Sequence, residues 1–576
     1  MHVRWLGEVD YAQTWAVQQA IFASRFDHLL LCTHPPVFTL GVRAKQQHLL
    51  TDPETLGASA LRVNRGGDIT FHGPGQLVGY PILTVAGKRG GGMADTVGYV
   101  HGLEQLLIDT VAGFGVMADR IRGLPGIWVD AATDSPRKLA AIGVRLSRGR
   151  SMHGFALNID TDLDWYRHIV PCGIDDKGVT SLANEGVDVT LAEVVEALVD
   201  RLPQATLTTT HGPGVPTSKG PNTASRQPGP PVPGATMRIC RQDVAWKVAR
   251  HDQAAFTRAA DRSAVADDEV APRLAGRLAQ VGVTSETAVN IRERKPSWMR
   301  VKLETGDEYR RMKRLSSELN LATVCEEAGC PNIYECWNES TATFMLLGER
   351  CTRACGFCLV DTQKPLTPDR DEPRKIAEAV AELGLDYAVL TMVARDDLAD
   401  GGARHVATTV AAIGDRSPQT RVELLISDLA GSEDNLKVVT AVRPDVINHN
   451  IETVARLQRA VRPSAGYVKS LSVLARARAE NIITKSGIIV GMGETVDEVK
   501  MTMADLAAVG VSIVTIGQYL RPTSRHLPVD RWWDPDEFAQ LKVYGEQELG
   551  IAHVEASPLT RSSHHAASAF ESAAPK

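Results

Sequence analysis

One stretch near the middle of this chain decides how many pieces it folds into. From Thr217 to Gly234 the sequence reads TSKGPNTASRQPGPPVPG, mostly proline, glycine and polar residues. Such a run has too little apolar surface to offset the entropy of ordering it, so it reads as a linker. The chain has 576 residues, too many for one typical core, and the linker leaves a block on either side. We read residues 1–202 as one domain, 203–290 as linker and unassigned sequence, and 291–576 as a second domain. Residues 238–290 hold charged, alanine-rich pieces without a motif, and no chemistry is assigned to them.

The two blocks differ in pattern. In the first, strand-like runs such as HLLLCT and VFTLG are punctuated by glycine and proline, and LAEVVEALVDRL from Leu191 has helical spacing. That mixture predicts an α+β domain. In the second, TFMLLG, DYAVLT, VELLIS, DVINHN, SGIIVG and SIVTIG recur, separated by helical stretches such as PRKIAEAVAELG. Strands alternating with helices predict βαβ units and a parallel sheet, closed into a full or partial β/α barrel. The whole is an α/β multidomain chain. In such barrels chemistry sits at the C-terminal ends of the strands.

Composition narrows the functional classes. The residues are 43% hydrophobic and 23% charged, ordinary for a globular protein. Net charge is −6 and the pI about 6.3, which argues against a nucleic-acid binder. No apolar run reaches the ~18 residues of a membrane span, and the start shows no secretory signal core, so a cytoplasmic protein is expected. Six of the nine cysteines crowd between Cys325 and Cys358. Clustered cysteines in a long chain of this kind read as metal ligands or catalytic groups, not as a disulfide scaffold.

The sharpest motif is CTRACGFC, holding Cys351, Cys355 and Cys358 directly after the run TFMLLG. Three thiolates on one loop can hold three irons of a four-iron cluster, leaving one iron open. Structural zinc is the alternative, but it wants four closed ligands, normally in paired CxxC knuckles. A second triplet, Cys325, Cys330 and Cys336, stands in ATVCEEAGCPNIYECW. His449, Asn450 and Glu452 follow the run DVIN, at a catalytic-type position, although a histidine there also serves packing. A basic stretch from Arg292 to Arg314 reads either as a solvated face or as a guide for an acidic partner domain.

In the first block, NRGGDITFHGPGQLVGYP (Asn64–Pro81) is glycine-dense, and glycine lets backbone approach a ligand closely. The same composition also builds a turn-rich hairpin. Cys172 lies between proline and glycine in IVPCGIDDKG, a poor setting for a core thiol. A cysteine thiolate is a strong nucleophile when a nearby cation lowers its pKa, and Lys138 in PRKLAAIGVR could supply one. Cys32, inside HLLLCT, fits a small core residue.

These residues carry two resemblances. CTRACGFC is similar to the cluster loop of the radical S-adenosylmethionine family, and GIIVGMGE, with Gly487, Ile489, Gly491 and Glu494, to that family's adenine-contacting pattern. With the second triplet, RDDLADGGA, HNIETVARL, IGQYLRP and the tail RSSHH, the stretch from Lys295 to about Ala567 resembles lipoyl synthases. The resemblance implies a radical SAM partial TIM barrel with two [4Fe-4S] clusters and S-adenosyl-L-methionine. Cys351, Cys355 and Cys358 would hold one cluster. Cys325, Cys330, Cys336 and Ser563 would hold an auxiliary cluster consumed as the sulfur source. The chain departs from that pattern at Met392, Ala394 and Ser427, and at His564, where a tyrosine is usual.

Residues 1–202 resemble octanoyl-carrier-protein:protein octanoyltransferases, relatives of biotin and lipoate ligases, through RGGDITFHGPGQL, RKLAAIG, HGFALN and PCG in that order. The resemblance makes Cys172 the acyl carrier and Lys138 its catalytic partner. It places Arg65, Gly66, Gly67, Asp68, Ile69, Thr70, Phe71 and His72, with Ala141, Ile142, Gly143, Gly154, Phe155 and Ala156, along the acyl tunnel. Phe71 stands where a tyrosine is usual. Together the resemblances imply that an octanoyl chain passes from acyl carrier protein to a lysine of apo lipoyl domains, in 2-oxoacid dehydrogenase and glycine cleavage complexes. Two sulfurs then enter at C6 and C8, with an electron donor such as flavodoxin or ferredoxin. Nucleic acid and membrane are not expected partners. Two alternatives stay open: a zinc-based interaction module in the second half, and radical SAM methylthiolation or sulfur insertion on another substrate.

Overall fold

The computed structural model describes residues 1–85, 87, 94–205, 272–283, 288–290, 293–299, 306–318, 321, 323, 332–338 and 343–574. They fall into two compact units, Met1–Thr257 and Arg258–Lys576.

The first unit is built on a mixed sheet. Its strands run in the order β1 (His2–Glu8), β2 (His28–Thr33), β6 (Gln76–Ile82), β10 (Arg150–Asn158), β9 (Arg137–Ser147), β8 (Leu124–Val129) and β7 (Ala118–Ile121). The short β11 (Gly178–Val179) pairs with β9. A smaller sheet orders β4 (Ser59–Arg62), β3 (Val37–Leu40) and β5 (Ile69–His72). The helices Thr96–Ala112 and Leu191–Arg201 close one face of the large sheet. Leu103, Leu107, Val194 and Leu198 bury themselves against Leu29, Leu31, Leu77 and Leu157. Each such side chain contributes roughly 1.5–3 kcal/mol of transfer free energy. The second helix starts at Leu191, where the helical spacing begins, and is capped: the Thr190 hydroxyl accepts from the Glu193 amide, and the Glu193 carboxylate accepts from the Thr190 amide at 2.8 Å.

Two glycines let β6 and β10 pair side by side. A Cβ on Gly154 would lie 2.1 Å from the Gly79 carbonyl oxygen, and one on Gly79 would enter the Phe155 ring at 2.2 Å. Cys32 is wholly buried in β2, and burial pushes its thiol well up, so it stays protonated.

The second unit holds seven parallel strands in chain order. These are β12 (Thr343–Leu346), β13 (Tyr387–Met392), β14 (Arg421–Leu425), β15 (Val446–Asn448), β16 (Ile483–Val490), β17 (Ile513–Gln518) and β18 (His553–Ala556). All six apolar runs read from the sequence are strands, and the barrel is partial, since β12 and β18 end the sheet. The seventh strand was not legible: HVEA is four residues with two polar ones, too short for a period to show.

The outward side chains of β13, Ala388 and Leu390, pack on Ile376, Val380, Val406 and Val410 of the helices Glu372–Leu383 and Ala403–Arg416. In the interior sits an ion pair with no exposed surface. Lys485 Nζ is 3.0 Å from Glu423, which also accepts from Tyr387 Oη and Asn448 Nδ2 at 2.9 Å each. A buried charge survives only with such a full set of partners.

Part of the sequence left unassigned belongs to this unit. The helix Pro272–Gln280 precedes Val281, whose carbonyl accepts from Arg456 Nη1 at 2.6 Å, and Val289 bridges to Val529. The fold boundary of the second unit therefore lies ahead of residue 290. Among the described residues no helix is long and apolar enough to cross a membrane.

Candidate functional sites

In the first unit a cavity of about 590 Å³ opens between the two sheets. Its wall brings together residues far apart in sequence: Arg65, Gly66, Gly67, Asp68, Thr70 and His72; Lys138, Ala141, Ile142 and Gly143; Gly154, Phe155 and Ala156; and Cys172. Ile69 and Phe71, expected beside them, do not line it. Side chains alternate along β5, so Thr70 and His72 face the cavity while Ile69 and Phe71 enter a separate core with Phe38, Leu40 and Ile169. The Phe71 ring stacks on Trp165 with centroids 5.0 Å apart.

Cys172 sits on a tight turn in left-handed backbone, φ 56° and ψ 16°, followed by Gly173 at φ 71°. A non-glycine residue held there costs about 1–3 kcal/mol, and such strain collects at functional sites. The turn holds the half-buried thiol on the cavity wall.

Lys138 comes from β9 and is 7% exposed. Its ammonium has no carboxylate partner among the described residues and lies 4.6 Å from the Trp128 ring centroid. Arg65 is also buried and is held only by neutral oxygens, donating to the Thr39 carbonyl at 2.6 Å, the Thr39 hydroxyl at 2.9 Å and the Gly66 carbonyl at 3.0 Å. Burial lowers its pKa, and the nearby Tyr11, Cys172, Tyr80 and Asp68 oppose that. Lys138 and Arg65 thus place two buried cations on the same cavity wall as Cys172.

Three titratable side chains of the wall are held neutral. Burial lowers His153 to about 3 and pushes His72 well below its usual value, while Tyr11 is raised to about 12. His153 also carries left-handed backbone, φ 61°, inside strand β10, and its Nε2 meets Asn64 Oδ1 at 2.7 Å.

Sequence reasoning missed His48. Its Nδ1 lies 2.6 Å from Asp68 Oδ2, and it lines the same cavity. The signal in KQQHLL was one histidine in a polar stretch, with nothing local to tie it to Asp68, 20 residues on.

In the second unit the strand ends assemble a second site. CTRACGFC follows β12, and its three cysteines are half-buried and unbridged. The loop is stitched in place by backbone bonds: Cys351 N to Asp361 O at 2.8 Å, Thr352 N to Ala394 O at 3.0 Å and Gly356 N to Val461 O at 2.9 Å. Arg353, between two of the cysteines, donates to Asp396 at 2.6 Å and Asp428 at 2.7 Å, tying the loop to the ends of β13 and β14. Burial pushes Cys358 up to about 12 and also raises Cys355, which Arg462 opposes. Thiols so buried need a strongly electropositive partner to ionise. Three cysteines on one loop are the donor set of a four-iron cluster with an open iron.

Glu494 is fully buried and accepts from the backbone amides of Gly491 and Met492. Burial outweighs those bonds and lifts its carboxyl to about 7. Gly491 has φ 99°, and a Cβ there would collide with Gln518. His449 is a packing residue: its Nδ1 bonds the Ile426 carbonyl at 2.9 Å and its Nε2 the Ser470 hydroxyl at 3.0 Å. Asn450 is different. It exchanges hydrogen bonds with Ser562 at 2.6 and 2.9 Å, so the serine tail reaches the strand ends. Ser563 follows it, half-buried.

Cys325, Cys330 and the side chain of Cys336 lie outside the described residues. Asn332, between the last two, donates to the Leu559 carbonyl at 2.8 Å, two residues ahead of the RSS tail. Arg353 and Asp428 were also missed, because their pairing spans 75 residues.

Comparison with known proteins adds three matches to family descriptions. Residues 10–203 match the lipoyl protein ligase A/B catalytic domain, residues 275–330 the N-terminal domain of lipoyl synthase of the radical SAM family, and residues 345–506 the radical SAM superfamily. The chain is 51% identical over 282 residues to a lipoyl synthase of Mycobacterium avium, covering 49% of this chain and 92% of that protein. It is 50% identical over 296 residues to a lipoyl synthase of Nocardia farcinica, covering 51% of this chain and 84% of that one. A solved structure of a putative lipoate protein ligase from T. acidophilum with bound lipoic acid is 17% identical, with a TM-score of 0.30, covering 35% of this chain and 86% of that chain.

Proposed function

From a chain that belongs to the lipoyl synthase family and carries a lipoyl protein ligase A/B catalytic domain ahead of it, we infer two consecutive steps in making the lipoyl cofactor. The first is octanoyl transfer. Cys172 attacks the thioester of octanoyl acyl carrier protein; the new S–C bond forms and the carrier thiolate leaves. A lysine of an apo lipoyl domain then takes the acyl group as an amide. The observation that carries this reading is the single cavity whose wall holds both Cys172 and Lys138. Its volume lies within the ~300–1,000 Å³ of small-molecule sites. Lys138 and Arg65 bring two cations to the wall that holds Cys172, and Ala141–Gly143 with Gly154–Ala156 line the same cavity.

The second step is sulfur insertion at C6 and C8 of the octanoyl chain. Cys351, Cys355 and Cys358 would hold a four-iron cluster, with Gly487, Ile489, Gly491 and Glu494 as the adenine-side contacts for S-adenosylmethionine. When bound, that pair supplies hydrogen-atom abstraction from carbons with no acidic proton and no leaving group. The chain's own residues fix the loop, through Arg353, Asp396 and Asp428. Cys325, Cys330, Cys336 and Ser563 would hold the second cluster, the sulfur substrate. The Asn332–Leu559 and Asn450–Ser562 bonds support that grouping. Apo lipoyl domains of 2-oxoacid dehydrogenase and glycine cleavage complexes are the acceptors, flavodoxin or ferredoxin the electron donor, and the cytoplasm the compartment.

The transfer step is tested with octanoyl carrier protein alone. The peptide holding Cys172 should gain one octanoyl mass, and Cys172→Ser should lose both this adduct and transfer to an apo lipoyl domain. Wild-type transfer in that variant would overturn the assignment.

A further inference from the structure

We propose that Glu555, His564 and His565 form a binding site for one divalent transition ion of the zinc class, which clamps the tail RSSHH onto strand β18. One ligand atom from each residue, a carboxylate oxygen and two imidazole nitrogens, lies within 4.8 Å of the others. None of the three is used in the two steps inferred above, so the site stands independently of that reading. His564 is also the position at which the tail departs from the usual tyrosine.

Successive side chains of an extended chain point opposite ways, and these two histidines do not. His565 has left-handed backbone, φ 50°, just ahead of the helix Ala566–Ala573. Its ring stacks on that of His564, with centroids 3.8 Å apart and planes at 25°. Strand β18 supplies the carboxylate. His553, two residues before Glu555, lies on the same face of the strand, and its Nε2 meets Glu555 Oε2 at 3.3 Å. Glu555 Oε1 is 3.5 Å from His565 Nδ1. His553 thus braces the carboxylate, as outer groups orient metal ligands. The His553 contact, working against burial and helped by His565 and Lys542, holds the Glu555 carboxyl at about 2. It is therefore an ionised donor at neutral pH. Lys542 itself lies 3.8 Å from Glu546.

The donor set selects the ion. Two imidazoles and a carboxylate suit zinc, nickel or copper, whereas magnesium and calcium prefer oxygen throughout. Tetrahedral zinc, with bonds of about 2.0–2.1 Å, sets its ligands roughly 3.4 Å apart. The spacing of His565 Nδ1 and Glu555 Oε1 already matches, and the widest spacing, at most 4.8 Å, is within reach of a rotation of one imidazole. Three protein ligands leave a fourth position for water. A bound ion closes residues 555–564 into a loop. Within that loop Ser562 exchanges hydrogen bonds with Asn450, and Ser563 follows it. The free energy of binding the ion therefore adds to the forces that hold this segment.

The test uses the full chain with its clusters reconstituted, so that the cysteines are occupied, and zinc ion as the probe. Wild type should bind a single zinc in titration, and excess magnesium should not displace it. X-ray absorption at the zinc edge should show nitrogen or oxygen at ~2.0–2.1 Å and no sulfur at ~2.3 Å. Glu555→Gln, His564→Tyr and His565→Ala should each weaken binding at least about 100-fold with iron content unchanged, and His553→Gln about 10-fold, as a brace and not a ligand. If one of these variants loses iron as well, its fold has suffered and the other two decide. Zinc should also slow hydrogen exchange in peptides covering residues 553–574 of wild type, and not of Glu555→Gln. No zinc uptake, sulfur in the zinc shell, or equal affinity in wild type and the ligand variants overturns the site. Exchange that zinc leaves unchanged in wild type overturns the clamp.

Discussion

Arg353→Met should destabilise the cluster loop far more than a surface ion pair could. The Arg353 side chain is 8% exposed and donates through both terminal nitrogens to Asp428, at 2.9 and 2.7 Å, and Asp428 has no exposed side-chain surface. Burial alone would raise the Asp428 carboxyl, and the Arg353 guanidinium outweighs it and holds the carboxyl below its usual range. Methionine keeps the bulk and removes the charge. Asp428 then retains the Ala430 amide at 3.1 Å and Lys469 at 3.9 Å. Breaking one side of a buried pair costs about 3–5 kcal/mol, and the weak Lys469 contact argues for the lower end. The bond to Asp396, whose side chain is 40% exposed, adds at most about 1 kcal/mol. For a unit of this size that corresponds to roughly 6–12 °C in midpoint. The assay is thermal unfolding of the full chain, read by hydrogen exchange in peptides from β12 to β15 so that the first unit does not contribute. Adding Asp428→Asn removes the orphaned charge and should recover at least half of the loss. A double variant as unstable as the single one, or a single variant within about 1 kcal/mol of wild type, would refute the reasoning, because either means that Asp428 does not depend on Arg353.

Further outcomes follow from the same geometry. Changing Cys351, Cys355 and Cys358 to alanine should remove about half of the roughly eight irons of a chain reconstituted with two four-iron clusters, and abolish S-adenosylmethionine cleavage. Changing Cys325, Cys330 and Cys336 should spare cleavage and stop sulfur transfer; sulfur insertion in that variant would contradict the role given to the second triplet. Gly154→Ala should impair folding of the first unit, since its Cβ would stand 2.1 Å from the Gly79 carbonyl. A normal octanoyl adduct and an unchanged melting profile in that variant would show that β6 and β10 can separate. Cutting the chain near Gly220 should give two pieces, each retaining its own half-reaction, as activity assays on the separated pieces would show.

Much of this was legible in the sequence because the signals were local. Six strands of the second unit announced themselves as apolar runs between helical stretches, and CTRACGFC stood at the end of the first. The helix at Leu191 showed in its own apolar spacing. What escaped was set by distance along the chain. Nothing in KQQHLL points to Asp68, and nothing in CTRACGFC points to Asp428; only folding brings those groups together. The tunnel residues show a subtler limit. A motif read as a continuous block, Arg65–His72, becomes a strand, and its period of two turns Ile69 and Phe71 away while Thr70 and His72 face the cavity. The charged, alanine-rich pieces of residues 238–290 could be helical but carried no motif; the helix Pro272–Gln280 among them, nine residues of modest apolar content, belongs to the second unit.

The most direct measurement is the mass of an apo lipoyl domain incubated with the full chain, octanoyl carrier protein, S-adenosylmethionine and a reductant. The domain should first gain an octanoyl mass and then shift to the lipoyl mass. With the Cys172→Ser chain it should stay unmodified, unless supplied already octanoylated, when it should still reach the lipoyl mass. A domain that never gains the octanoyl group, or one that gains it and never gains sulfur with both clusters in place, would contradict the account of two consecutive enzymes in one chain.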